Sequence, residues 1–439
     1  MDKSTNRPPS LMVNNPVKIE NYFFSFFREK LEKEASRLPE NADDIYARSI
    51  RALMDNDLDN GIPRLIDAAK GNTTASYLVA VFHIMNPYLS DVVRTECVDL
   101  LKKLADTHYQ DAMYALAFYY MADDSPEQDD TLAARWFGEA ARAGHPLGMY
   151  EYGSCFLAGK GVKKDLTESA RWYREAADAG IDLAQFELGI QLLQGEGVDK
   201  DLTQGISYIR KAVNSGHPGA MAALAQLYYD GKGVPEDKEV AYRLYRECYA
   251  KGNSKGAYGL ARFYLYGEVV GQDYITACWL LIKSRPMMGA AAESFLKDII
   301  DNLCENIREH NDISSYIMLA WLLACGMIGD DKNGTALEML RSAAQAGDML
   351  AKCLLLRYYP EDQFPETAST DECVSFFQEM SEQGHVWAAR ELALMAISQQ
   401  IERSKDEQLE LLNRAAELGD LILEHEIRNY LDSIKADEP

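Results

Sequence analysis

Ser294 and Lys297 stand in S-x-x-K spacing, in which a lysine amine can take the proton of a serine nucleophile. A match to two fixed positions is expected about once by chance in a chain of this length, and nothing resembling an S-D-N or K-T-G element accompanies it. The seven histidines, at 83, 108, 145, 217, 310, 385 and 425, form no H-E-x-x-H pair. The eight cysteines, at 97, 155, 248, 278, 304, 325, 353 and 373, form no C-x-x-C pair, which argues against a zinc site or a redox pair. They read as buried free thiols of a reducing compartment. No G-x-x-x-x-G-K-[ST] phosphate loop is present. These residues assemble no catalytic constellation, so the chain is expected to be non-enzymatic, with no metal or cofactor.

The chain carries 69 acidic and 45 basic residues, a formal charge of −24. A phosphate backbone would be repelled, which discounts DNA and RNA as partners. Such a charge confers solubility, and it also suits a basic patch on a partner protein. No apolar run approaches the ~18 residues of a membrane span. The N-terminal MDKSTNRPPSLMVNN lacks the apolar stretch of a secretory signal. A cytoplasmic location is the expectation.

A repeated frame must position whatever surface the chain offers. Residues 159–180, GKGVKKDLTESARWYREAADAG, recur in pattern at 195–216 and 231–252. Gly144, Gly180, Gly216 and Gly252 sit 36 residues apart, the signature of a helical repeat array. Counted from each closing glycine as zero, the next helix has a small residue at +4, Leu or a close substitute at +8, Gly or Ala at +9 and an apolar or aromatic residue at +12. After Gly180 these are Ala184, Leu188, Gly189 and Leu192. Offsets 4, 8 and 12 share one helical face and bury together. A small residue at +9 lets the partner helix come close. Glycines at +15 and +17 allow left-handed backbone in the turn. Asp129, Asp165, Asp201, Asp237 and Asp273, at +21, can cap the second helix, and Asp165 with Glu168 and Asp201 with Gln204 have capping-box spacing. His108, His145, His217 and His385 fall at or just after repeat junctions, which favours a turn role over metal ligation.

The pattern LG…Y…GxGV…D…WY…AA..G, nearly complete over 145–252, resembles the Sel-one-like repeat family, relatives of tetratricopeptide repeats. The resemblance extends over most of residues 40–420 and weakens after Asp123 and after Gly267, where the turn glycines change. It implies a right-handed α-solenoid of about nine helix-turn-helix repeats with terminal capping helices, and adaptor or regulatory roles. Cysteine-rich relatives have been linked to penicillin binding, the chemistry that Ser294 and Lys297 would serve. Those relatives bridge two cysteines in each repeat, and here only residues 348–384 hold two, Cys353 and Cys373.

Residues 1–16 read as a flexible polar arm. Residues 17–38 carry Ile19, Phe23, Phe26, Phe27 and Leu31 on one helical face and read as an N-terminal capping helix, although a membrane-surface helix would show the same aromatics. Residues 39–288 form an N-terminal repeat stack. At 289–310 the period slips, and Phe295, Leu296, Ile299 and Ile300 predict an extra, unpaired helix across about 290–308. Residues 311–420 form a C-terminal stack, and 421–439 a closing helix with an acidic tail. In another register, 313–326 is the second helix of a unit and 334–346 the unpaired one. The superhelix is expected to bend between Gly252 and Asn311.

In tetratricopeptide-like arrays the first helix of each unit lines the concave face. The resemblance therefore implies that offsets +3, +6, +10, +13 and +14 are exposed. The +6 column reads Tyr77, Tyr114, Tyr150, Phe186, Ala222 and Tyr258, then Ile317, Cys353 and Arg390; the +10 column includes Phe118, Ile190, Gln226, Arg262, Trp321 and Arg357. Either the +6 rings pack between neighbouring first helices, or they line a groove for a peptide or partner helix. On the second reading the partner-binding residues are Tyr77, Tyr114, Phe118, Tyr150, Phe186, Ile190 and Tyr258, with Gln226, Tyr229, Arg262 and Tyr266 adding polar specificity. The function expected is a scaffold or adaptor for a protein or peptide, basic in the charge-complementary case. The alternatives are a bacterial immunity or inhibitor protein that neutralises a basic toxin or effector, and an enzyme with an unrecognised site.

Overall fold

The computed structural model describes residues 31–38, 45–54, 58–84, 91–122, 125, 127–328, 334–359, 365, 367–398, 401–418 and 420. The polar arm at 1–16, most of the expected N-terminal cap and the closing segment at 421–439 lie outside them. Among the described residues every regular element is an α-helix or a helical turn. The chain divides into two compact units, residues 1–217 and 218–439.

The first unit holds α1 (described over 31–37), α2 (Ile45–Met54), α3 (Leu58–Ala68), α4 (Thr73–Ile84), α5 (Asp91–Asp106), α6 (Gln110–Met121), α7 (Asp130–Arg142), α8 (Pro146–Ala158), α9 (Leu166–Asp178), α10 (Asp182–Gln194) and α11 (Leu202–Asn214). Each helix packs on the next, and α2–α3, α4–α5, α6–α7, α8–α9 and α10–α11 are the repeat pairs. In α1, Leu31 is buried with Ile50 and Leu53 of α2, and Tyr46 donates to Glu34 at 2.9 Å.

The repeat chemistry explains these pairs. The +8 leucines Leu188, Leu224 and Leu260 are buried. A Cβ on Gly189 would stand 2.7 Å from Ile209 Cδ1, and one on Gly153 2.8 Å from the Tyr173 ring, so the small +9 residue sets how closely the second helix approaches. Gly161 and Gly197 at +17 have φ of 70° and 72°. A Cβ there would lie 1.9 Å from the carbonyl oxygen of Asp130 and 2.1 Å from that of Leu166. Each turn is thus seated on the first turn of the preceding second helix. The five aspartates at +21 all cap: Asp165, for example, accepts from the amides of Thr167 at 3.0 Å and Glu168 at 3.1 Å. The reciprocal half of the expected capping boxes is absent there, because Glu168 turns to Arg171 at 2.8 Å. Full capping boxes form instead at Ser369–Glu372 and Ser404–Glu407.

The second unit holds α12 (Pro218–Asp230), α13 (Lys238–Ala250), α14 (Ser254–Tyr266), α15 (Tyr274–His310), α16 (Ile313–Ala324), α17 (Thr335–Gln345), α18 (Met349–Tyr358), α19 (Thr370–Glu382), α20 (Val386–Ile397) and α21 (Lys405–Glu417). The long α15 is two helical segments joined at Gly289, whose φ is 22° and ψ −104°. Its first segment pairs with α14 as a second helix does. Its second segment runs where the extra helix was expected. Leu296, Ile299 and Leu303 are buried there, whereas Phe295 and Ile300 are only half-buried. Phe295 meets the edge of Tyr258, with ring centroids 5.9 Å apart. Helix α16 pairs with α17, and α20 with α21.

Candidate partner-binding surface

The structure separates the eleven candidate residues into two groups. Tyr77, Tyr114, Phe118, Tyr150 and Phe186 are buried, none more than 5% exposed. They do not line an open groove. The +6 rings lie in the seam between repeats and meet the first residue after the next closing position. Tyr77 packs on Tyr109 at 5.4 Å between ring centroids, Tyr114 stacks on His145 at 4.5 Å, and Phe186 packs on His217 at 4.8 Å. Tyr150 stacks on Tyr173 at 5.5 Å and shares one buried cluster with Leu188 of the following repeat, against which Ile181 packs. Close approach of neighbouring first helices leaves an apolar slot that a ring fills. It also gives the junction residues a role: His145 accepts the Gly148 amide on Nδ1 at 3.0 Å, capping α8, and points Nε2 at Asp111, 3.4 Å away. Ile190 is half-buried.

The second group lies in the second unit, where the structure brings Gln226, Tyr229 and Arg262 together. The Arg262 guanidinium lies over the Tyr229 ring at 3.8 Å, a cation–π contact between first helices of adjacent repeats. The Tyr229 hydroxyl donates to Glu268 at 2.9 Å, and Lys238 reaches the other oxygen of that carboxylate at 2.7 Å. Gln226 donates to Asp230 at 2.8 Å and accepts from Tyr245 at 2.8 Å. Lys232 pairs with Asp230 at 2.7 Å. Bonds to Lys232 and Gln226 outweigh partial burial and hold Asp230 below the usual carboxylate range; Lys238 and Tyr229 do the same for Glu268. Tyr266, one helical turn beyond Arg262, is 59% exposed, and Val269 beside it is 45% exposed. Tyr258, one turn before Arg262, is half-buried.

Lys238 and Glu268 were not legible as site residues, since both lie in or beside turns outside the +6 and +10 columns. A second surface feature of this unit is a groove of about 590 Å³ between α19, α20 and α21, lined by Glu382, Leu392, Glu410, Leu411, Arg414 and Glu417. Ser294 and Lys297 are both exposed on α15. The described residues contain no cluster of three metal-ligating side chains, and no described helix is long and apolar enough to cross a membrane.

No curated protein matches the sequence. Among solved structures, a protective antigen with an SLR fold from uropathogenic Escherichia coli is 24% identical, covering 84% of this chain and 74% of its own, with a TM-score of 0.48. A Sel1 repeat protein from Oxalobacter formigenes is 23% identical, covering 55% of this chain and 97% of its own, with a TM-score of 0.49. An immunity protein from Pseudomonas aeruginosa is 20% identical, covering 49% and 81%, with a TM-score of 0.31. The Sel1 repeat model matches residues 110–145, 146–181, 182–217, 218–253, 254–284, 313–348 and 389–420. The first six matches each start at the first residue of a first helix, from α6 to α16, and the last starts inside α20; together they leave out α1 to α5, the second segment of α15 and the stretch holding α18 and α19. With more than half of its residues in such repeats, the chain belongs to the Sel1 repeat family.

Proposed function

We propose that the chain is a non-enzymatic scaffold that binds a protein or peptide partner, and that its contact surface in the second unit centres on Tyr229, Arg262 and Tyr266. Sel1 repeats generally mediate protein–protein interaction. The observation that carries the choice of surface is the exposure of Tyr266, 59%, whereas the other aromatic rings placed among the described residues are buried or half-buried. Tyrosine and arginine are the residue types that most often anchor protein interfaces. Here they are already held: Arg262 is stacked on Tyr229, and Tyr229 is tied to Glu268. A surface fixed before the partner arrives loses less conformational freedom on binding.

The test begins with capture of partners on the wild-type chain from its native cell, identified by mass spectrometry. Binding of the captured protein is then titrated against Tyr229→Ala, Arg262→Ala and Tyr266→Ala. At least about a tenfold loss of affinity is expected for two of the three. Full retention by the triple variant would place the contact elsewhere, with the groove beside α21 as the next surface to substitute.

A further inference from the structure

Arg390 holds the +6 position of the last described repeat, the column that carries rings in the first unit. Its Nη1 lies 3.0 Å from Oδ2 of Asp420, the residue just after the next closing position, Gly419. That contact follows the array, since Tyr114 meets His145 in the same way. The remaining contacts do not. The same nitrogen lies 2.9 Å from Oδ2 of Asp273 and 2.8 Å from Oγ1 of Thr276, residues 117 and 114 positions earlier. In a solenoid each repeat touches its neighbours only. Here the first helix of the last repeat grips the capping residue of α15, with α16 to α19 intervening in sequence.

The burial of these groups shows that the contact is built in. Asp273, Arg390 and Asp420 are each no more than 2% exposed. Asp129 and Asp165 hold the same capping position in the first unit and are exposed. Two turns meet beside the charges: a Cβ on Gly271 would stand 3.5 Å from the carbonyl oxygen of Gly384. The network then continues inward. Glu391 accepts from Arg357 Nε and from the Tyr358 hydroxyl, each at 3.3 Å, and Trp321 Nε1 donates to that hydroxyl at 3.2 Å. Polar contacts therefore run from α15 to α20, on to α18, and on to α16, which follows α15 in the chain.

We propose that Arg390 is a clasp that closes residues 273–420 into a ring, so that the first turns of α15 and the α20–α21 pair open and close as one unit. Charges buried this deeply are costly unless paired, so removal of one partner leaves another exposed to that cost. Glu268, which holds Tyr229 and Lys238, lies five residues before Asp273, so the clasp also fixes one wall of the surface proposed for the partner. The test needs no partner, so its outcome is separate from that functional reading.

Hydrogen exchange of the full chain, followed by mass spectrometry, reads the clasp directly. Asp273→Asn keeps an N-cap acceptor for α15 and removes the charge. In that variant, amides of 386–417 are expected to exchange at least about tenfold faster, with 146–214 unchanged. Arg390→Met is expected to speed exchange in 274–284 as well as in 386–417. Wild-type exchange over 386–417 in Asp273→Asn would overturn the proposal. So would an Arg390→Met variant in which only 386–417 changes, the result of a nearest-neighbour array. Should Arg390→Met fail to fold, Asp273→Asn decides alone.

Discussion

The guanidinium carbon of Arg262 lies 3.8 Å from the centroid of the Tyr229 ring, across the seam between two repeats. A flat, delocalised cation suits this stack, and a lysine ammonium would neither cover the ring nor keep the fork of donors free at its edge. Arg262→Lys is therefore expected to weaken partner binding about as much as Arg262→Ala, while shifting stability by no more than about 0.5 kcal/mol. Calorimetric titration beside thermal melting checks both halves. Full affinity in the lysine variant would mean that only charge matters at this position.

The buried rings make the opposite prediction. Tyr114→Ala and Tyr150→Ala should each cost roughly 3–5 kcal/mol, as large core truncations do, and comparable to Leu188→Ala at roughly 2–5 kcal/mol. Tyr266→Ala should be nearly silent in the same urea titration. A Tyr150→Ala variant as stable as wild type would return that ring to the surface.

These two predictions mark where the sequence was legible. Leu188, Gly189, Gly161 and Asp165 each have a local requirement, and the period displays it: a buried face, a close approach, a left-handed turn, a cap. The fate of Tyr150 and Tyr266 has no such signature, because a tyrosine suits both a seam and an interface. Which it fills depends on how closely the neighbouring first helices approach, and that is set by residues of other repeats. The Arg390–Asp273 contact was further out of reach. It joins residues 117 positions apart, and the repeat pattern itself implies that such residues do not meet.

Glu151 supplies a pH dependence. It is 1% exposed on α8, its Oε1 has no hydrogen-bond partner, and burial raises its carboxyl from 4.5 to about 8. Cys155 and Tyr173, which face it, are pushed up by burial and stay neutral over the same range. Between these two values the folded chain keeps a proton that the unfolded chain has released. The contribution to stability is complete below the unfolded value and is lost as pH rises through the folded one, with a limiting slope of about 1.4 kcal/mol per pH unit. Urea midpoints of wild type and Glu151→Gln, measured from pH 5 to 8, should diverge in favour of the variant as pH rises. A difference that is flat with pH would show that the carboxyl does not titrate there.

The formal charge of −24 bears on kinetics more than on fold. Attraction of a basic partner is screened over about 8 Å at physiological ionic strength. Its association rate should fall several-fold on moving from low to high salt, with the dissociation rate changing less. Stopped-flow mixing with the captured partner measures this. A rate independent of salt would exclude charge steering and with it a basic binding face.

The last prediction separates the two duties of the turn glycines. Gly180 has φ of 96°, and a Cβ there would meet nothing within 4 Å. Gly180→Ala therefore carries only the cost of a left-handed alanine, roughly 1–2 kcal/mol. Gly161 has φ of 70°, and its Cβ would lie 1.9 Å from the carbonyl oxygen of Asp130. Backbone cannot move aside as a flexible side-chain tip can. Gly161→Ala must lift the turn off the first turn of α7, which also disturbs the packing of one repeat on the next. Its cost should exceed that of Gly180→Ala by at least about 2 kcal/mol, the scale of a strained core position. The excess should appear as faster amide exchange on both sides of the seam, in 130–142 and 166–178, whereas Gly180→Ala should affect only its own junction. Equal costs for the two alanines would mean that φ alone fixes these glycines and that the seating of the turns adds nothing.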